Sequence, residues 1–265
     1  MVRSVIFFCI FALSFSAQSE LRVKSAKRDP GTSYLAYKVT ASMFAEGDFA
    51  NVETPTQVSK PYQQAGQLRA VTEWQSIDVM NRHFQEFRDK RFMTTDAQPG
   101  FMRRSSWLYP DDGCFARAGL AIMNLAQAKV VPPEKIFVFG NLTVKTANSP
   151  DGSVSWWYHV APIVQVAGEK YVLDPALNPR APMKLEDWLG LMNFDIHQLE
   201  VAICKSGSYT PDDTCDHVTD GVESMAQDDQ ISYLNFEWSR LEDLHRNPKE
   251  ELGDNPPWLS PLTVF

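Results

Sequence analysis

The chain has no positive charge to spare. Its 25 Lys and Arg stand against 33 Asp and Glu, for a formal net charge of -8 and a pI near 5.2. No basic field is left to gather phosphates, which argues against nucleic acid and anionic membrane surfaces as partners. Long apolar runs are nearly absent: Val5 to Leu13 is the one marked stretch, too short to favour a membrane-spanning helix, and no second one follows. There is no Gly-rich phosphate loop, no G-x-S-x-G elbow and no H-E-x-x-H pair. No internal repeat or low-complexity tract occurs. Cys204, Cys215 and His217 offer only three ligands at unfavourable spacing, so a metal centre is not expected.

What is present begins with an export signal. Arg3 supplies a positive n-region, Val5 to Leu13 the apolar h-region, and Ala17-Gln18-Ser19 a small-x-small cleavage site, so residues 1–19 read as a signal peptide. The expected location is secreted or periplasmic, with no membrane association once the signal is removed. Of four cysteines, Cys9 leaves with the signal, and Cys114, Cys204 and Cys215 stay. Cys204 and Cys215 flank the polar, turn-rich KSGSYTPDDT, and in an oxidising compartment their pairing is the natural reading. Closing so short a loop contributes about 2 to 3 kcal/mol in the chain-entropy model. Cys114 is then the odd thiol, either buried and inert or reactive.

The 265 residues are 44% hydrophobic and 12% aromatic, enough for one sizeable core plus an appendage. Residues 20–70 are mixed and polar, with turn signals at Asp29-Pro30-Gly31 and a Pro/Gln/Gly-rich stretch from Pro61 to Gly66; Tyr34 to Ala41 could make a strand. They read as a leading segment, either a pro-region or an ordinary N-terminal subdomain, before a main domain at 71–265. Ile77, Met80, Phe84 and Phe87 recur at three and four residue steps and predict a helix over 76–92. A second helix is predicted from Gly113 to about Lys129, with Phe115, Ala118, Ile122 and Leu125 on one face. KIFVFGNLTVKT (135–146) predicts a strand interrupted at Gly140-Asn141, and WWYHVAPIVQV (156–166) and KYVLD (170–174) predict two strands joined at Ala167-Gly168-Glu169. Pro182 to Met192 predicts a third helix and Asp229 to His245 a fourth.

Asp111 and Asp112 are candidate N-caps, which would put Cys114 in the first turn of its helix. Unpaired N–H groups and the positive end of the dipole favour a thiolate there, and the same amides can serve an oxyanion hole. A thiolate enzyme needs an imidazole. His159 lies on a predicted strand, flanked by Trp156, Trp157 and Tyr158, while His83, His197, His217 and His245 fall on helical faces or loops. A two-residue turn at Ala167-Gly168 sets Asp174 opposite Ala161 and diagonal to His159, on the same sheet face. Pro162 implies an edge strand or a bulge. The candidate constellation is Cys114 as nucleophile, His159 as base and Asp174 fixing the imidazole tautomer. Bland readings stand beside each: a structural Cys, a core His, a turn Asp before Pro. Gly113, Asn141, Trp157 and Tyr158 are candidates for the oxyanion hole or substrate contact.

In that order, DDGCFARA (111–118), FVFGNL (137–142), WWYHVAPIV (156–164) and LDPAL (173–177) resemble the bacterial protein glutaminases, whose pattern is approximately DGCYARA, FVYGNL, WSYHVA and IDPSL. The likeness runs from about Ser76 to Trp188. It implies a secreted Cys-His-Asp hydrolase that converts protein-bound glutamine to glutamate and ammonia through a thioester on Cys114, without a cofactor. It implies protein or peptide substrates with exposed glutamine. The implied fold is α+β, a papain/transglutaminase-like core with a helix-borne Cys packed on an antiparallel sheet. Two other classes stay open: a papain-like protease or transglutaminase using the same triad, and a catalytically silent binding module.

Overall fold

The computed structural model describes residues 59–67, 69–95, 98–193, 195–209 and 220–252. The expected signal peptide, the possible strand at Tyr34 to Ala41 and Cys215 lie outside these residues, so the expected Cys204–Cys215 bond has one end there. Cys204 is itself buried at the end of a strand.

Apolar patterning at two periods builds the core. Helix α1 spans Ile77–Asp89; Ser76 caps it, its side chain accepting from the Val79 N–H at 3.2 Å. Met80, Phe84 and Phe87 are buried as the helical period requires, whereas Ile77, expected in the same stripe, is exposed. Strands β2 (Met93–Thr95) and β3 (Gln98–Arg103) form a separate hairpin. Helix α2 runs Cys114–Gln127 and is buried on nearly every side rather than along one face. Its third neighbour is the reason: α1 and the sheet leave one flank open, and helix α4 (Val222–Asp243) covers it. Gly119 allows the close approach, since a methyl there would sit 3.2 Å from Ala226 Cβ.

Among the described residues the sheet has six strands in the order β1-β8-β4-β5-β6-β7, all paired antiparallel. Its long centre is β4 (Glu134–Lys145) against β5 (Ser153–Val166), flanked by β8 (Glu200–Cys204) and β6 (Glu169–Val172). Strands β1 (Lys60–Pro61) and β7 (Met183–Lys184) are short edges. The described start of the leading segment is thus part of the sheet: Lys60 pairs with Val201, and the Tyr62 N–H donates to Leu199 O at 3.0 Å. One face packs Phe137, Phe139, Val160 and Ala202 with Phe115, Leu120 and Met123 of α2. The other packs Ile136, Val138, Ala161, Ile163 and Val201 with Trp188, Leu189 and Met192 of helix α3 (Leu185–Met192). The third predicted helix therefore starts later than Pro182, after β7. A short helix α5 (Pro248–Leu252) follows α4.

Two details position chemistry. Pro162 is in neither an edge strand nor a bulge: it pairs with Lys135 inside central strand β5. Its carbonyl accepts from Leu173 N at 2.9 Å, so the N–H it lacks would face the β6 side, one residue past that strand's end. The second is the hairpin turn, with Ala167 and Gly168 at φ 52 and 82 in the left-handed pair that suits a two-residue connection. Ile163 faces Val172 and Val166 faces Glu169.

Helix α4 also ties down the loop that leads into α2. The buried Glu237 carboxylate accepts from Arg103 (3.3 Å), Arg104 (3.1 Å), and the N–H groups of Trp107 (3.0 Å) and Leu108 (2.7 Å). Burial pulls Arg103 down to about 10 against the charge of Glu237, which leaves it a cation at neutral pH. Replacing Glu237 by Ala would strand two buried cations and two amides. Urea unfolding of Glu237→Ala should show a loss of about 3 to 5 kcal/mol, against well under 1 kcal/mol for Glu250→Ala on α5.

Candidate active site

The loop before α2 is fastened from four directions. Glu237 holds residues 107 and 108. Arg240 of α4 donates to Asp111 Oδ2 and to Asn148 O, both at 2.6 Å. Arg117, one turn into α2, donates back to Asp112 O (2.8 Å) and Tyr109 O (3.4 Å). Trp156 Nε1 donates to Pro110 O and Asp111 O, each at 3.0 Å. The two aspartates are not the N-caps expected of them. Gly113 takes that position at φ 79, and no side chain caps the helix. Asp111 is drawn to Arg240, and Asp112 Oδ1 accepts from the Gly113 N–H at 2.6 Å. That bond commits the Gly113 amide, so the first-turn amides from Cys114 onward are the ones the helix start offers to an anion. Glycine is required at 113 twice over, since a methyl would also come within 2.7 Å of Tyr233 Cδ2.

Cys114 is thus the first residue of α2, and it is the free cysteine among the described residues. His159 lies in β5, paired with Val138, and Asp174 follows β6. The Leu173–Pro162 bond continues the β5–β6 register, which sets Asp174 opposite Ala161 and diagonal to His159. His159 Nε2 is 2.7 Å from Asp174 Oδ2. The same oxygen accepts Trp188 Nε1 at 3.0 Å, and Oδ1 accepts the Ala176 N–H at 3.1 Å. The turn role of an Asp before Pro and the imidazole contact are therefore held together by one carboxylate. Cys114, His159 and Asp174 are 6%, 1% and 4% exposed.

Electrostatics follow from the geometry. Burial, the largest single influence on His159, pushes its basicity down. The charge and hydrogen bond of Asp174, with a smaller contribution from nearby Cys114, outweigh it and raise the imidazole from 6.5 to about 9. Burial likewise pushes Asp174 up, but His159, the Trp188 hydrogen bond and the charge of Arg117 hold its carboxyl below the ordinary value of 3.8. Nε2 is committed to Asp174, and Nδ1, buried without another conventional partner, is the nitrogen left for Cys114. At neutral pH this is an imidazolium between a carboxylate and a sulfur at a helix start. Such a site can generate a thiolate and deliver a proton.

The other candidates separate. Tyr158 stacks on Phe137 (centroids 6.4 Å) and packs the core. Asn141 sits with Gly140 in a bulge of β4, between the pairs Phe139–Tyr158 and Leu142–Trp156, rather than in a break of the strand. The side chains of Asn141 and Trp157 lie outside the described residues. His83 bonds Glu86 on α1, and His217 lies outside the described residues. No group of His, Cys, Asp and Glu suited to a metal ion occurs among the described residues. Sequence reasoning missed Trp188 and Arg117 at the site; it placed Trp156 beside His159 in an aromatic cluster but did not foresee its bond to the nucleophile loop. Only the odd spacing of Trp156 from His159 could have hinted at a local irregularity.

Residues 80–192, which carry Cys114, His159 and Asp174, match the family model described as glutaminase. No curated protein matches the chain. Among solved structures, it is similar to protein-glutaminase from Chryseobacterium proteolyticum, at 21% identity over 58% of this chain and 85% of that one (TM-score 0.43). It is similar to a pro-protein-glutaminase at 23% identity over 63% and 60% of the two chains (TM-score 0.47). The glutaminase-family match ends at α3, so α4 and the residues that fasten the Cys114 loop to it lie beyond it.

The pair should leave a pH signature. His159 is raised on folding, so its contribution to stability is complete below about pH 6.5 and is lost as pH rises toward 9; Asp174 is lowered, so its contribution is present above about pH 4 and is lost as pH falls below that. The thermal midpoint of the wild type should decline from pH 6.5 to 9, and Asp174→Asn should flatten that decline. Equal slopes for the two proteins would contradict the raised imidazole.

Proposed function

We propose that the protein hydrolyses the side-chain carboxamide of protein-bound glutamine, with Cys114 as nucleophile, His159 as acid and base, and Asp174 as the group that orients and charges the imidazole. The observation that carries this reading is the coincidence of two independent facts. The stretch that matches the glutaminase model contains all three residues, and the fold joins them through the His159–Asp174 bond and the action of Cys114 on the imidazole.

The chemistry balances without a cofactor. The Cys114 thiolate attacks the glutamine Cδ carbonyl carbon, and first-turn amides of α2 face the developing oxyanion. Protonated His159 gives its proton to the departing nitrogen, which leaves as ammonia as the C–N bond breaks and a thioester remains. Neutral His159 then takes a proton from water, the hydroxide adds to the thioester, and collapse releases glutamate and returns the sulfur. The sum is glutamine plus water to glutamate plus ammonia.

A helix-borne Cys against an antiparallel sheet whose central strand bears the His supports the papain/transglutaminase-like description of the core. The exposed glutamine of a protein substrate would approach past the bulge at Gly140-Asn141, where Trp157 and Asn141 are the candidate contacts. The signal-like pattern of residues 1–19 supports a secreted or periplasmic site of action, and pairing of Cys204 with Cys215 belongs to that reading.

Ammonia release from a glutamine-rich protein, with intact-mass analysis of the product, tests the proposal. The wild type should convert glutamine to glutamate, one mass unit per site, and Cys114→Ala should fall by at least about 10³-fold. Cleaved or crosslinked product in place of deamidated product would move the assignment to a protease or a transglutaminase.

A further inference from the structure

The nucleophile and its base come from elements 45 residues apart in sequence, α2 and β5, and must be held to a fraction of an ångström for the thiol and imidazole to work together. One side chain links the loop before Cys114 to the imidazole. Trp156 donates its indole N–H to the carbonyls of Pro110 and Asp111, in the loop that delivers Cys114, at 3.0 Å each. Its ring lies flat on the imidazole of His159, with centroids 4.6 Å apart and planes 12° from parallel.

In a regular strand this arrangement does not form. Side chains alternate, so residues three apart point to opposite faces. The register between the two strands shifts at this point: Gly140 and Asn141 together oppose the single residue Trp157, and Gly140 at φ 142 adopts a backbone that other residues avoid. The irregular stretch lies between Trp156 and His159, and past it the two rings come together.

We propose that Trp156 is a positioning residue for the Cys114–His159 pair, aimed by the Gly140–Asn141 bulge: its N–H fixes the nucleophile loop and its ring face holds the imidazole against Asp174. This rests on the catalytic reading of Cys114 and His159. The charged or titratable groups that act on that imidazole are Asp174 and Cys114, with Arg117 acting through Asp174, and none is altered by changing Trp156. Asp111, whose carbonyl Trp156 binds, keeps its carboxylate on Arg240.

Two variants separate the roles. Trp156→Phe keeps a ring for stacking and loses the N–H; Trp156→Leu loses both. For Trp156→Phe, kcat for ammonia release should fall about 10- to 100-fold with KM little changed, while His159 titrates as in the wild type by NMR. For Trp156→Leu, kcat should fall further, and the imidazole should titrate about half to one pH unit lower, since a cation loses an aromatic face. Near-UV circular dichroism confirms that both variants are folded. A wild-type kcat in Trp156→Phe, or an imidazole in Trp156→Leu that titrates with the wild type, overturns the proposal. The NMR titration needs no substrate. If the wild type releases no ammonia, the glutaminase reading fails by itself, and the titration still decides whether Trp156 governs His159.

Discussion

Everything at the centre of this molecule answers to one constraint: an imidazolium and a carboxylate, 2.7 Å apart, buried beneath the surface. Removing two charges from water costs several kcal/mol each, and their mutual attraction offsets that only if the remaining polar atoms are also satisfied. Asp174 meets the condition through Trp188 of α3, the amide of Ala176 and the nearby charge of Arg117. His159 meets it in part, through Asp174 on Nε2 and Trp156 against its face, and its Nδ1, without a hydrogen-bond partner among the described residues, is the atom open to Cys114. Central strand β5, the end of β6, α2 and α3 all contribute partners, so the core and the candidate site are built from the same contacts.

The second consequence concerns restraint. The stretch that matches the glutaminase model carries Cys114, His159 and Asp174, but the loop that delivers Cys114 is clamped by a helix beyond it. Glu237 draws in two arginines and two backbone amides, Arg240 joins Asp111 to the β4–β5 hairpin at Asn148, and the Tyr233 ring lies on Gly113. The left-handed glycine at the start of α2 and the clamp above it fit as a unit: a side chain at 113 would displace Tyr233, and without the clamp the loop would lose the bonds of Glu237 and Arg240.

Local chemistry was legible wherever short-range rules decide the outcome. The three-and-four spacing of Met80, Phe84 and Phe87 marked α1, and β-branched and aromatic density marked β4 and β5. The two-residue turn at Ala167-Gly168 set the parity that sends His159 and Asp174 to one face. Where several elements compete for one residue, local reasoning misplaced it. Asp111 and Asp112 have the chemistry of N-caps, but a buried arginine on α4 claims the first and the Gly113 amide the second. Pro162 has the chemistry of an edge, but its missing donor falls one residue past a short neighbour. The five residues of β8 and the β2–β3 hairpin passed unread because so short a pattern is not distinctive.

By itself, then, the sequence determined the reactive residue types, their order along the chain and the parity of the hairpin, because each depends on neighbours within a few residues. Tertiary structure alone decided that Cys114 meets the imidazole from α2, that α4 clamps its loop, and that Trp156 turns toward His159. Those depend on a bulge in another strand and a helix more than a hundred residues downstream, and no local periodicity encodes where such distant surfaces come to rest.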